Sequence, residues 1–118
     1  MKYMMLIYME DQALNEAERE HCYVESTELA RELKASGKYL GASPLQPTST
    51  ATSIRVRDGK RLVTDGPFAE TREHLGGYFL VEAGNLDEAI GIAGRIPGAR
   101  VGTVEIRPII ELPDLPVD

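Results

Sequence analysis

The segment Lys2–Met9 constrains the fold more than any other, because both of its alternating sets of side chains are apolar. Along an extended chain Tyr3, Met5, Ile7 and Met9 point one way, and Met4, Leu6 and Tyr8 the other. A strand of that kind has to be covered on both sides. Tyr78–Ala83 repeats the pattern, setting Tyr78 and Leu80 against Phe79 and Val81. A chain of 118 residues supplies one domain, 1–118, with one core. Its helices can cover one face of a sheet, and little chain is left to cover the other.

Two helices announce themselves by their caps. Asn15 with Glu18 three residues on is an Asn variant of the capping box, and it predicts a helix to about Ser36, stopped by Gly37. Cys22, Leu29, Ala30 and Leu33 share one side of it, which makes Cys22 a small core residue. Glu16, Glu20, Glu25, Glu28 and Glu32 read as its solvated face. Asn85 and Glu88 repeat the capping pattern. There Leu86, Ala89, Ile90 and Ala93 are the expected buried stripe, and Pro97-Gly98 the stop.

The remaining segments read as strands and turns. Lys38–Ala42 is a short strand, broken by Pro44-Leu45-Gln46-Pro47. Thr48–Thr52 reads either as the start of a strand or as a group of ligand-binding hydroxyls. Ser53–Arg57 and Lys60–Thr64 flank Asp58-Gly59, a strong two-residue hairpin signal, with Ile54 and Val56 on one side and Arg55 and Arg57 on the other. Gly102–Ile109 is the last strand, with Val104 and Ile106 inward and Pro108 marking a sheet edge. The tail 110–118 is expected to be an extended arm. The order strand, helix, strand, hairpin, strand, helix, strand is βαββαβ once the hairpin is set aside. That is a ferredoxin-like α+β fold with an inserted β-hairpin. A second copy of the sheet is the economical cover for its free apolar face, so a homodimer is expected.

Several functions are excluded or disfavoured by composition. The net charge is −6 and no basic run exceeds two adjacent residues, which argues against direct nucleic acid binding. A single cysteine excludes an intrachain disulfide and a cysteine-based zinc cluster. Two separated histidines among scattered carboxylates match no zinc spacing, and there is no GxGxxG or P-loop, so neither metal nor cofactor is expected. The apolar run Met4–Met9 is too short to span a membrane, and the expected location is the cytoplasm.

Chemistry concentrates in Thr64–Phe79, T-D-G-P-F-A-E-T-R-E-H-L-G-G-Y-F, read as a polar loop pinned by Gly66-Pro67 at one end and Gly76-Gly77 at the other. Asp65, at a strand end, is the leading candidate, either as a general base or ligand anchor or as an Asx cap on the turn. His74 is the candidate acid–base partner, since imidazole titrates near neutrality. Glu70, Arg72 and Glu73 are candidate ligand contacts, or else an ion-paired turn, and Tyr8 is a candidate pocket wall. His21, beside the helix stripe, is read as structural.

The motif D-G-P-F-A-E-T-R-E at Asp65–Glu73, followed by L-G-G-Y-F, resembles the YCII-related, DGPF-domain family. Supporting pieces are M-K-Y-M-M-L-I-Y at the start, A-S-P-L-Q-P, and I-P-G-A-R-V-G-T-V-E-I-R-P near the end, so the resemblance covers nearly the whole chain. It implies a dimeric α+β barrel of two ferredoxin-like protomers packed sheet to sheet. The wider fold group includes ring-lactone isomerases, haem-degrading monooxygenases and stress-response barrel proteins, and fold alone does not choose among them. A His-Asp acid–base pair has been proposed for YCII relatives, but the family pattern fixes neither His74 nor His21. Arg72 stands where the family usually has lysine, which keeps the charge and changes its geometry. Two functions follow as expectations. One is a small-molecule binding protein or cofactor-free acid–base enzyme, with its site beside the D-G-P-F loop. The alternative is a non-catalytic regulatory protein associated with a sigma factor.

Overall fold

Antiparallel pairing of β1 (Lys2–Met9) with β5 (His74–Glu82) forms the centre of the molecule. β6 (Thr103–Pro108) flanks β1 and β2 (Tyr39–Pro44) flanks β5, giving the order β2-β5-β1-β6. With α1 (Glu16–Ala35), α2 (Leu86–Ala93) and the one-turn α3 (Gly98–Val101), this is the ferredoxin-like α+β arrangement. The sheet is open; in the single chain it does not close into a barrel. The computed structural model describes residues 1–116. Within the tail, the Leu115 N–H donates to the Leu112 carbonyl, 3.2 Å, so a turn replaces part of the expected extended arm. Its last two residues lie outside the described ones.

One face of the sheet carries the core. Tyr3 and Met5 from β1 and Phe79 and Val81 from β5 are buried against Leu29 and Leu33 of α1, and against Ala89, Ile92 and Ile96. Burial of each large side chain contributes roughly 1.5–3 kcal/mol. The other face bears Met4, Leu6, Tyr8, Tyr78 and Leu80, which no helix among the described residues covers and which stay half-buried among their neighbours. No helix among the described residues is long and apolar enough to cross a membrane.

Both predicted caps form. The Asn15 side chain accepts from the Glu18 N–H at 2.8 Å, and the Glu18 carboxylate accepts from the Asn15 N–H at 2.9 Å. Asn85 accepts from the Glu88 N–H at 2.9 Å. The buried stripe of α2 departs from expectation. Ala89, Ile92 and Ala93 are buried, while Leu86 and Ile90 are each 52% exposed. α2 ends at Ala93, before Pro97-Gly98. The α1 glutamates are not all free in solvent: Glu25 pairs with Arg100 and Glu32 with Arg95, tying α1 to the segment after α2. Thr48–Thr50 is a turn of 3₁₀ helix, not the start of a strand.

The hairpin forms where Asp58-Gly59 places it, with φ of 53° and 73° at the two turn residues. Its strands, β3 (Thr52–Arg57) and β4 (Lys60–Asp65), make a separate two-stranded sheet. Among the described residues, nothing covers the side holding Ile54 and Val56.

Candidate functional site

The polar connector is shorter than the sequence suggests. β5 begins at His74, so Gly76-Gly77 lie inside a strand and do not end a loop. Gly77 is glycine because β2 comes so close: a β-carbon there would meet the Ser43 carbonyl oxygen at 2.9 Å. Gly76 has a different role. β1 and β5 pair regularly up to Ile7↔Gly77, then shift to Tyr8↔Leu75 and Met9↔His74, leaving Gly76 as an extra residue on β5. Such a bulge reverses which face the following side chains occupy. Without it, His74 would share the open face with Tyr78 and Leu80. With it, His74 lies opposite Met9, on the helix-covered side.

There His74 meets the chain that leaves β1. Its Nε2 is 3.6 Å from Asp11 Oδ2, within ion-pair reach but longer than a hydrogen bond. The same Asp11 oxygen accepts from Thr48 Oγ1 at 3.1 Å, so the 3₁₀ turn orients the carboxylate. The next residue, Gln12, has φ of 63°, uncommon for a side-chain-bearing residue. These groups line an open cleft of about 520 Å³ with Leu14, Arg19, Tyr23 and Leu45. A second hollow of about 410 Å³, walled largely by Ile7, Ala30, Tyr39, Ala42 and Phe79, adjoins it and shares Met9, Tyr23, Pro44 and Gly76. A polar mouth with an apolar annex is the usual build of a small-molecule site. The chemistry available at the mouth is proton exchange, from an imidazole beside an oriented carboxylate.

The other predicted residues are dispersed. Asp65 ends β4, exposed, and lines neither cleft. Glu70 is exposed on the connector. Arg72 pairs with Glu10, not with Glu70 or Glu73, and thereby clips the connector to the end of β1. Hydrogen bonding to Glu10 raises the Arg72 pKa still further. Glu73 accepts from Thr103 Oγ1 at 2.9 Å, which anchors it to β6. Tyr8 is half-buried on the open sheet face, away from the cleft. His21 is on the surface of α1, its Nε2 3.3 Å from Glu25. Asp11 and Glu10 were not among the candidates. Their signal is an acidic pair immediately after a doubly apolar strand, where a sheet presents its ends to ligands. Thr48 belonged to a hydroxyl-rich run with no partner visible in sequence.

Cys22 is half-buried on α1. Burial pushes its thiol pKa up, and the nearby Glu25 carboxylate adds to that shift. This is the opposite of what an activated nucleophile needs.

Comparison with known proteins gives a consistent picture. The family model of the YCII-related domain matches residues 1–113. An uncharacterized protein of Rhizobium meliloti (strain 1021) is 33% identical over 114 residues, covering 92% of each chain.

Proposed function

The chain belongs to the YCII-related family, and on that footing we propose that it binds a small molecule in the cleft where His74, Asp11 and Thr48 converge. The observation that supports this most is the Asp11 carboxylate, oriented by Thr48 at 3.1 Å and set 3.6 Å from the His74 imidazole at the mouth of an apolar hollow. The ligand that suits the pair of hollows has an apolar body and a polar head able to give up or accept a proton. His74 supplies the exchanging group, Asp11 holds the imidazole in place and balances its charge, and Arg19 adds a cation at the same mouth. If the chain is an enzyme, the reaction is a proton transfer that needs no cofactor. We take Asp65, the leading candidate from sequence, as a turn residue of the hairpin base. The protomers pair through the open sheet face that carries Leu6, Tyr8 and Leu80, so that two open sheets together form the α+β barrel.

The test is a thermal-shift screen of acids, phenols and lactones with short and bulky apolar substituents, run on the wild type, His74→Ala and Asp65→Ala in parallel. The expected result is a ligand that raises the melting temperature of the wild type and of Asp65→Ala but not of His74→Ala. A ligand that still stabilises His74→Ala, or stabilisation lost in Asp65→Ala alone, overturns the assignment of the site.

A further inference from the structure

The β3–β4 hairpin is hydrogen-bonded to neither edge of the main sheet, and every residue of its two strands except Ser53 is exposed. Its register sorts most of the side chains by face, with Arg61 left beside the apolar ones and Leu62 among the basic ones. Opposed residues in an antiparallel pair share a face, so Ile54↔Val63 and Val56↔Arg61 put Ile54, Val56 and Val63 together. These three are 62%, 61% and 60% exposed. The pairs Arg55↔Leu62 and Arg57↔Lys60 put three cations on the reverse, with Arg55 stacked 4.6 Å over the Phe68 ring at the base.

An amphipathic two-stranded ribbon is marginal in water without something to pack on. This one rests its Arg55 on the Phe68 ring, but among the described residues nothing covers its Ile54/Val56/Val63 face. The protomer is also large for its length: the Cα radius of gyration is 16.0 Å, against about 13.5 Å for a compact chain of this length. The charge distribution identifies what covers it. Residues 52–65 hold four cations and two carboxylates, a net of +2, while the whole chain is −6, so the remainder is −8. A second copy of this chain is therefore net acidic outside its own hairpin, and a basic ribbon is attracted to it.

We infer that the β3–β4 hairpin is a dimer arm: its Ile54/Val56/Val63 face, with Arg61 beside it, packs on a second copy of this chain, and the arm's net positive charge draws it to that net acidic copy. Under a two-fold axis each protomer gives one arm and receives one. The inference rests on the homodimer proposed above but concerns a different surface from the open sheet face.

The experiment is sedimentation equilibrium with small-angle scattering on the full chain. It compares the wild type, I54E/V56E and R57E/K60E on the arm, and L80E on the open sheet face. The expected result is a wild-type dimer, dissociation constants at least tenfold higher for both arm variants with unchanged circular dichroism, and wild-type dimers weakened by 0.5 M salt. Arm variants that associate as the wild type does, while L80E falls apart, overturn the arm and leave the sheet-face dimer standing. A wild type that is monomeric throughout overturns both. Heparin binding that is lost in R57E/K60E, with dimerisation unchanged, makes a polyanion the occupant and also overturns the inference.

Discussion

His74 and Asp11 face each other because β1 and β5 are antiparallel neighbours: Met9 sits opposite His74, and the chain leaving β1 carries Asp11 past the imidazole, to 3.6 Å. The contact costs the fold little to form, since both residues lie at strand ends that pairing has already aligned. Its importance is therefore expected to lie in binding rather than in stability.

Asp11→Asn keeps the shape and removes the charge. Asp11 is 56% exposed, so the change in unfolding free energy is expected to stay within about 1 kcal/mol. Affinity for a ligand that engages His74 is expected to fall about tenfold, the loss of one charge-assisted contact. Thr48→Val, which frees the carboxylate, is expected to show a smaller loss of the same sign. Urea denaturation and calorimetric titration measure the two quantities separately.

The neighbouring glycines of β5 respond differently to a methyl group. At Gly77 a β-carbon would lie 2.9 Å from the Ser43 carbonyl oxygen and 3.2 Å from Pro44 Cα, both backbone atoms of β2. Gly77→Ala is expected to cost about 1–3 kcal/mol as β2 is pushed outward. At Gly76 the closest atoms are 3.8 Å away, and Gly76→Ala is expected to be near neutral. Chemical denaturation of the two variants side by side tests this.

Glu88 sets a pH dependence. Hydrogen bonding to Lys38, whose Nζ is 2.8 Å away, and then to the Gly84 N–H holds its carboxyl below the ordinary value of 4.5. A carboxyl depressed in the folded state stabilises the fold above its unfolded pKa and ceases to do so as pH falls through its folded one. The difference in melting temperature between wild type and Glu88→Gln is therefore expected to be full at neutral pH and to vanish in acid below 4.5. A difference that grows toward acid contradicts the pairing.

Cys22 is expected to be slow toward thiol reagents. Burial, and after it Glu25, raises its pKa above 9.0. At pH 7.4 iodoacetamide should modify it severalfold more slowly than glutathione, whose thiol is fully solvated. Unfolding in urea should abolish the difference, as peptide mass spectrometry would show.

The local signals in this sequence were legible. Asn15 with Glu18, Asn85 with Glu88, and Asp58-Gly59 each act within four residues and form as their spacing demands. The doubly apolar β1 and β5 give the ferredoxin-like order for a similar reason, since alternation is a property of the strand alone. What sequence concealed was set by residues meeting from afar. Gly76-Gly77 resembles a break, and only the approach of Ser43 shows why a strand holds it. Leu86 and Ile90 fit the helical period but are turned to solvent, and Ile92 joins Ala89 and Ala93 in the core instead. Asp65 stood in the most conspicuous motif, yet the hairpin carries it away from the cleft. Asp11 has no motif at all and reaches the cleft through strand pairing.

The unpaired residue at Gly76 makes the location of the imidazole a matter of parity. Removing that residue would leave a regular ladder in which Leu75 still pairs Tyr8 and His74 still pairs Met9, so the ring stays on the helix-covered side. Absorbing it instead, so that every residue from His74 to Gly77 takes a partner on β1, would turn the ring out onto the naked side of the sheet. The strand thus holds one residue in reserve, and family members are best aligned by whether this stretch is bulged before their histidines are compared.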